Sequence, residues 1–401
     1  MTTLEPVTPP SAAELARLLL DGDGSGRRPA GVVVGLQAGD DVDIAVQGWA
    51  ALPAAGDAGT AMDPALLLDV ASVTKVASAT TLAMVLVDRA ELDLNRPVRH
   101  YLPDFAGGSK DDITLEHLLT HTAGMPSWWP LYCQTTQRAT ALELLASLPL
   151  ESVPGTAWRY SDLGMILAGQ VLEIVSGLGL AEAFSRLVAT PSGIGARYGP
   201  VAPEAAVTSS DGDAYERGMV ATGDPYLVPF TTSDFTGWRT APLRGTVNDG
   251  NAAHALDGVS GHAGLFATVP DLLTLGRALQ DGLLCSQAVF DRFARPVPVH
   301  PAQAVGFRRC EMTSEEGTTT VLYHGGFTGT FFALGVHTHL VLAAGAMRLH
   351  GTLAAAGSEI LRVEDRAGLL TTPAIETVLL DAMRSWLVRQ PTTSLPPVEE
   401  A

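Results

Sequence analysis

The chain has 401 residues, 46% of them hydrophobic, and a formal net charge of −18. That length supports one large domain or two moderate ones with a full core. The acidic balance excludes a nucleic-acid partner, which needs a basic footprint, and argues against anionic membrane surfaces.

The first residues, Met1 to Pro6, lack the basic start and apolar run of an export signal. No stretch approaches the roughly 18–20 apolar residues of a membrane span. Both point to a cytoplasmic protein. Cys133, Cys285 and Cys310 are odd in number and far apart, which fits reduced thiols better than a disulfide framework or a zinc site.

In chain order, residues 11–21 form an amphipathic opening helix. Two apolar runs, Gly31 to Leu36 and Val42 to Gln47, flank Ala38-Gly39-Asp40-Asp41, a hairpin signal. After a short strand exit at Leu68 to Val70, a long small-residue helix runs from Ser72 to about Arg89. Residues 95–300 read as helices broken by Gly/Pro-rich loops, with helical stretches at 115–120, 139–148, 163–176, 181–189 and 271–281. Residues 200–250 carry turn chemistry without periodicity and are expected to form an ordered surface loop region near a site. Strands return at 305–311, 318–323, 330–336 and 340–346, followed by a helix over 373–389 and a frayed tail.

Strands at both ends imply one α+β catalytic unit with an antiparallel sheet built from both termini. Residues 10–90 plus 300–390 would make the sheet subdomain, 91–299 a mainly helical insertion, and 391–401 a flexible tail.

Ser72 and Lys75 stand three residues apart, on one face of the long helix. A serine beside an amine that can take its proton is a nucleophile–base pair in outline. Lysine is scarce here: of 25 basic residues only Lys75 and Lys110 are lysine, and the rest are arginine. Lys110 sits in a polar loop and is expected to face water. Lys75 lies among Val73, Val76, Ala77 and Ala79, where a desolvated amine can lose its proton and arginine cannot. The structural alternative is a lysine snorkelling from a core helix.

Two further stretches bear on the choice. Residues 154–162 form a turn ending at Tyr160 just before a helix, and a nearby ammonium would let that tyrosine shuttle a proton. Tyr323-His324-Gly325-Gly326-Phe327 separates two strands; its glycines let substrate approach the backbone, and a free N–H there can stabilise an oxyanion.

Together, Ser72-x-x-Lys75, Tyr160-Ser161-Asp162 and His324-Gly325-Gly326 resemble the serine β-lactamase and penicillin-binding-protein-like enzymes, above all the class C β-lactamase-like esterases, peptidases and transacylases. Leu118 to Pro126 and Gly258 to Phe266 extend the likeness, which spans roughly residues 30–390. The resemblance implies a catalytic Ser72 that attacks a carbonyl, with Lys75 and Tyr160 sharing the proton traffic. It implies an oxyanion hole from the backbone amides of Ser72 and Phe327. No cofactor or metal is implied.

Two departures bear on substrate. The third motif begins with His324 where β-lactamases carry lysine, so a fixed charge for a penicillin carboxylate is missing, though histidine can supply a hydrogen bond or part of a charge. The second ends in Asp162 in place of the common Asn, an acceptor that either holds Lys75 or repels anionic substrates. Both favour an esterase, or a transacylase passing an acyl group from a small-molecule donor to an amine or alcohol in specialised metabolism. The alternatives are a β-lactamase or D-amino-acid peptidase, or a non-catalytic binding protein on the same fold.

Other residues carry less. His117 and His121 have metal-like spacing without a third ligand, so structural hydrogen bonding is the expectation. Trp128, Trp129 and Trp238, with Tyr132, Phe230 and Phe235, are candidates for an apolar acyl pocket or for packing under loops. Asp249 and Asn251 look structural. No Gly-x-Ser-x-Gly elbow, P-loop or dinucleotide fingerprint occurs. Oligomeric state is not legible.

Overall fold

The computed structural model describes residues 9–21, 28–314, 317–352, 361 and 369–387. Its centre is a seven-stranded antiparallel sheet in the order β3-β2-β1-β12-β11-β10-β9. The N-terminal strands are β1 (Gly31–Ala38), β2 (Asp41–Ala51) and β3 (Thr60–Ala61). The C-terminal ones are β9 (Arg308–Ser314), β10 (Gly317–Gly325), β11 (Thr330–Gly335) and β12 (Leu340–Ala346). The two ends meet where β1 pairs with β12, Val32 opposite Ala346 and Ala38 opposite Leu340. The hairpin falls where the sequence puts it, with Gly39 at φ 63° opening a two-residue turn.

Alternation builds two apolar layers from the same strands. Val32, Val34, Leu36, Phe331, Ala333, Leu340 and Leu342 pack beneath the helices Ala12–Asp21 and Thr372–Leu387. Val33, Phe332, Leu334 and Val341 point the other way, into the core shared with the helical middle. Continuous apolar runs in the sequence are therefore strands covered on both faces.

Several boundaries move. The strand expected from Val305 begins at Arg308, because Val305 and Phe307 are buried in a bend. Gly306, at φ 80°, turns that bend and donates to the Leu119 carbonyl at 2.9 Å. The expected loop region over 200–250 contains a helix, Ala214–Thr222, that has too few apolar repeats to read from sequence. The final helix is described as far as Leu387; the expected tail, 391–401, lies outside the described residues. The segment Ala71–Asp88 corrects the reading that no stretch is long and apolar enough to span a membrane; 83% of it is buried inside the protein as a core helix. Lys110 does not simply face water either. Its ammonium donates to the Ala146 carbonyl at 2.6 Å and sits 5.5 Å from the Phe105 ring centroid.

One glycine shows how tightly the sheet edge meets the core helix. A Cβ at Gly326 would lie 2.0 Å from Thr330 Oγ1 and 2.6 Å from the Val70 carbonyl oxygen. Both obstacles are held, since Thr330 Oγ1 donates to that carbonyl at 2.8 Å. Gly326→Ala should therefore cost about 1–3 kcal/mol by overpacking, seen as a lower urea midpoint at unchanged m-value.

Candidate active site

Three segments converge on Ser72. The first is its own turn. Strand β4 (Leu68–Asp69) pairs with β8 (Leu265–Ala267) and delivers the chain to Ala71, held at φ 47°, a strained value for a residue with a Cβ. Asp69 fixes this turn, accepting from the Ala71 amide at 2.9 Å and the Asn248 amide at 2.6 Å. Burial pushes its carboxyl up to about 6. The helix that follows is not uniform: a tight turn over Ala71–Val73 gives way to a wide one over Lys75–Thr80, then to a regular α-helix over Thr81–Asp88. Wide turns of this kind recur at functional sites.

The second segment is Tyr160-Ser161-Asp162. Ser161 caps the helix Asp162–Ser176, its hydroxyl accepting from the Gly164 amide at 3.0 Å and donating to the Pro126 carbonyl at 2.6 Å. Asp162, in the first turn, extends its carboxylate to 2.7 Å from the Lys75 ammonium.

The third is the bend between β10 and β11. Gly329 donates to the Gly326 carbonyl at 2.9 Å and Gly326 to Thr330 at 2.7 Å, closing a turn that carries Phe327 outside the ladder. Thr328 Oγ1 donates to the Asp69 carbonyl at 2.9 Å, so this turn and the Ser72 turn are stitched together. The side-chain space at Gly325 is filled by Thr372 and Glu376, so both glycines here answer to packing. Arg348 donates to the Phe327 carbonyl at 2.7 Å and lies 5.0 Å from its ring centroid.

Lys75 sits at the meeting point, fully buried, whereas Ser72 and Tyr160 keep part of their surface exposed. Its ammonium donates to Ser72 Oγ at 2.9 Å and to the His262 carbonyl at 3.2 Å. Tyr160 stands beside both Lys75 and Ser72, its ring centroid 5.1 Å from the ammonium, with burial raising its phenol pKa and Lys75 and Ser72 opposing that rise.

Electrostatics correct one expectation. Burial alone would drive Lys75 towards a neutral amine, but the Asp162 carboxylate, with Tyr160, outweighs it and raises the lysine above its ordinary range. The resting site holds an ammonium–carboxylate pair. Of the two readings left open for Asp162, it is the one that holds Lys75. Tyr160 is raised by burial, an effect the neighbouring ammonium opposes.

His324 is corrected as well. Its Nδ1 lies 2.8 Å from the Gly325 carbonyl, which can only accept, so the proton is on Nδ1 and buried Nε2 is a bare acceptor. Burial, then Lys75 and Arg308, push its pKa well below the usual imidazole range. No share of a positive charge is available there at neutral pH.

The tryptophans divide. Trp128 is buried and stacks on Tyr226 at 6.1 Å between centroids. Trp129 packs edge-on to Phe230 with its Nε1 on Gln134, and Trp238 packs against Tyr132 and Phe235 with its Nε1 on the Thr232 carbonyl. Tyr226 is a residue that sequence reasoning missed. Burial, then the Asp162 and Tyr160 charges, push it up to about 12. His262 was missed too, because its contribution is a backbone carbonyl. Behind it runs a buried chain, Ser260 Oγ to His262 Nδ1 at 2.7 Å and His262 Nε2 to Asp249 at 2.9 Å. Asn251 holds the loop at 129–131, its side chain accepting from the Leu131 amide and donating to the Trp129 carbonyl. His117 and His121 accept backbone N–H groups through Nδ1, from Thr114 and Ser161, each at 3.2 Å.

The family model described as Beta-lactamase matches residues 15–361. The chain belongs to that family. Beta-lactamase-family proteins of this kind are serine hydrolases, among them esterases, peptidases and amidases. An N-acetylmuramyl-L-alanine amidase of Bacillus subtilis (strain 168) is 29% identical over 290 residues. That match covers 66% of this chain and 64% of the relative, so the chain spans just under two thirds of its length. The crystal structure of SurE superposes with a TM-score of 0.63 at 21% identity, covering 97% of this chain and 77% of SurE. EstCE1, described as a hydrolase with promiscuous acyltransferase activity, gives 0.62 at 21% identity, covering 90% and 96%. Both likenesses are of fold, and the β-lactamase-like α+β class follows from the family match together with the antiparallel sheet flanked by helices.

Proposed function

We propose that the protein is a serine acyl-transfer enzyme that works through an acyl-Ser72 intermediate on a small-molecule ester or amide. One observation carries the reading: a fully buried Lys75 donates to a partly exposed serine hydroxyl at 2.9 Å, with the Tyr160 ring 5.1 Å from the ammonium. A binding protein needs none of these, and a buried ammonium is costly to keep.

Ser72 Oγ attacks the acyl carbon, forming a C–O bond. Its proton passes through Tyr160 and Lys75 as the ammonium gives one of its own to the Asp162 carboxylate 2.7 Å away, and the relay runs back to the departing alcohol or amine as the old bond breaks. His121 and His324 are kept neutral, so neither competes as a second cation. The oxyanion is held by the amides of Ser72, at the start of its turn, and Phe327. Water or a bound amine or alcohol then attacks the acyl-enzyme.

Substrate follows from the walls. His324 is buried and uncharged where a carboxylate-bearing penicillin would need a cation. We take the aromatic cluster of Trp128, Tyr226, Phe230 and Trp238, whose Tyr226 responds to the Asp162 and Tyr160 charges, as the acyl side of the pocket. The preferred donor is therefore a neutral ester with an apolar acyl group. Transfer to an amine or alcohol acceptor, in the making of a specialised small molecule, is supported by the acyltransferase description of EstCE1.

Intact-mass spectrometry after exposure to a panel of activated esters tests this. A single adduct of the acyl mass is expected within the dead time, and added amines should shorten its lifetime while amide product appears. Lack of any adduct across the panel would overturn the reading, and faster turnover of penicillins or D-aminoacyl peptides would redirect it to those substrates.

A further inference from the structure

His121 is a buried group beside the site that the acyl-transfer chemistry does not use. It is 2% exposed and sits at φ 58°, a left-handed conformation rare for a residue with a Cβ. This backbone lets the short helix Leu115–Leu119 end and the chain turn towards residues 155–161. The turn is well braced: His121 N donates to the Leu118 carbonyl at 3.2 Å, and Thr122 N to the His117 carbonyl at 2.9 Å. The hydroxyls of Thr120 and Thr122 bond each other at 2.8 Å.

From that rigid turn His121 grips both neighbours of Tyr160. Its carbonyl oxygen accepts the Arg159 N–H at 2.8 Å, and its ring Nδ1 accepts the Ser161 N–H at 3.2 Å. Its ring lies against the phenol ring, centroids 4.6 Å apart and planes inclined by 41°. The residue between the two gripped amides is Tyr160. We infer that His121 is a positioning residue that aims the Tyr160 hydroxyl at Ser72 and Lys75, by clamping the backbone on either side of it and seating its ring. The inference deepens the acyl-transfer reading above and rests on it.

Hydrogen-bond chemistry constrains the clamp. An Nδ1 that accepts from an amide must be unprotonated, so the neutral ring carries its proton on Nε2. An imidazolium would set two N–H groups against each other. Burial, then the positive charges of Lys75 and Arg308, hold the ring neutral, with its pKa pushed down to about 3. A clamp of this design therefore stays closed throughout the neutral range. Displacing a proton-transfer group by about 1 Å costs on the order of 10²-fold in rate, so a loosened Tyr160 should slow chemistry without weakening substrate binding.

The test compares His121→Gly with His121→Asn. Both residues accept the left-handed backbone, but only asparagine keeps an acceptor at the δ position. His121→Gly should lower kcat about 10²-fold with KM unchanged within about twofold, and His121→Asn should recover at least tenfold of that loss. Tyr160→Phe is measured beside them. If Tyr160→Phe keeps wild-type kcat, the acyl-transfer reading fails and the clamp fails with it. If Tyr160→Phe is inactive but His121→Gly is as fast as wild type, or His121→Asn as slow as His121→Gly, the clamp alone is overturned. Nitrogen NMR of the wild-type imidazoles at pH 7 decides the matter even if the glycine variant does not fold. The signal absent from His121→Asn must show the Nε2–H tautomer, and an Nδ1–H tautomer refutes the clamp.

Discussion

Ser72→Ala is expected to abolish turnover of a p-nitrophenyl ester, lowering kcat by on the order of 10⁴-fold or more, as removal of a covalent nucleophile does. The same change should leave stability within about 1 kcal/mol of wild type. Lys75 loses one acceptor but keeps the Asp162 carboxylate at 2.7 Å and the His262 carbonyl at 3.2 Å, so no buried charge is orphaned. Ser72 is partly exposed, and no large cavity opens. The acyl adduct seen by intact mass should vanish in parallel. Undiminished turnover in a folded variant would remove Ser72 from the chemistry and with it the reading of the whole site.

Asp162→Ala should have the largest effect on stability, about 3–5 kcal/mol at pH 7, because it leaves a fully buried ammonium without its counter-charge. The deficit should depend on pH in a defined direction. In the wild type the folded pKa of Lys75 is raised. The stabilisation is thus fully present below the ordinary lysine value and is lost only as pH rises through the still higher folded one. In the variant, burial is opposed by Tyr160 alone and depresses that pKa. Folding then favours the neutral amine, so the penalty is greatest at neutral pH and fades as pH climbs towards 10.5. Urea unfolding at pH 7, 8.5 and 10 should show the two proteins converging. A deficit constant across that range would mean that the pair contributes packing and not charge.

These two expectations differ in how far the sequence alone supports them. The nucleophile was legible as a serine and a lysine one helical turn apart, reinforced by the Tyr160 and His324 stretches. The fold was legible because alternation and apolar runs report locally on which faces are covered. Both sheet-forming ends could be recognised, and the Gly39–Asp40 turn fell as expected. What failed was local in a different way. Ala214–Thr222 becomes helical through burial of Met219 and Val220 against Trp128, a contact its own composition does not announce.

The sequence by itself determined the order of the motifs, the two-ended sheet and the identity of the residues that could do covalent chemistry, because each is written in residue type and spacing. Only the tertiary structure decided their charge states and their grip. Lys75, read among its apolar neighbours, looked like an amine ready to be neutral. It is an ammonium because Asp162, far along the chain, arrives 2.7 Å away. His324, read as a hydrogen-bonding group or a partial cation, is a neutral imidazole because the Gly325 carbonyl and burial fix its proton. His121, expected to make structural hydrogen bonds, accepts one from the Ser161 amide and lies against the Tyr160 ring. Ionisation and orientation depend on distance and solvent exclusion, which the fold sets through contacts between residues remote in sequence.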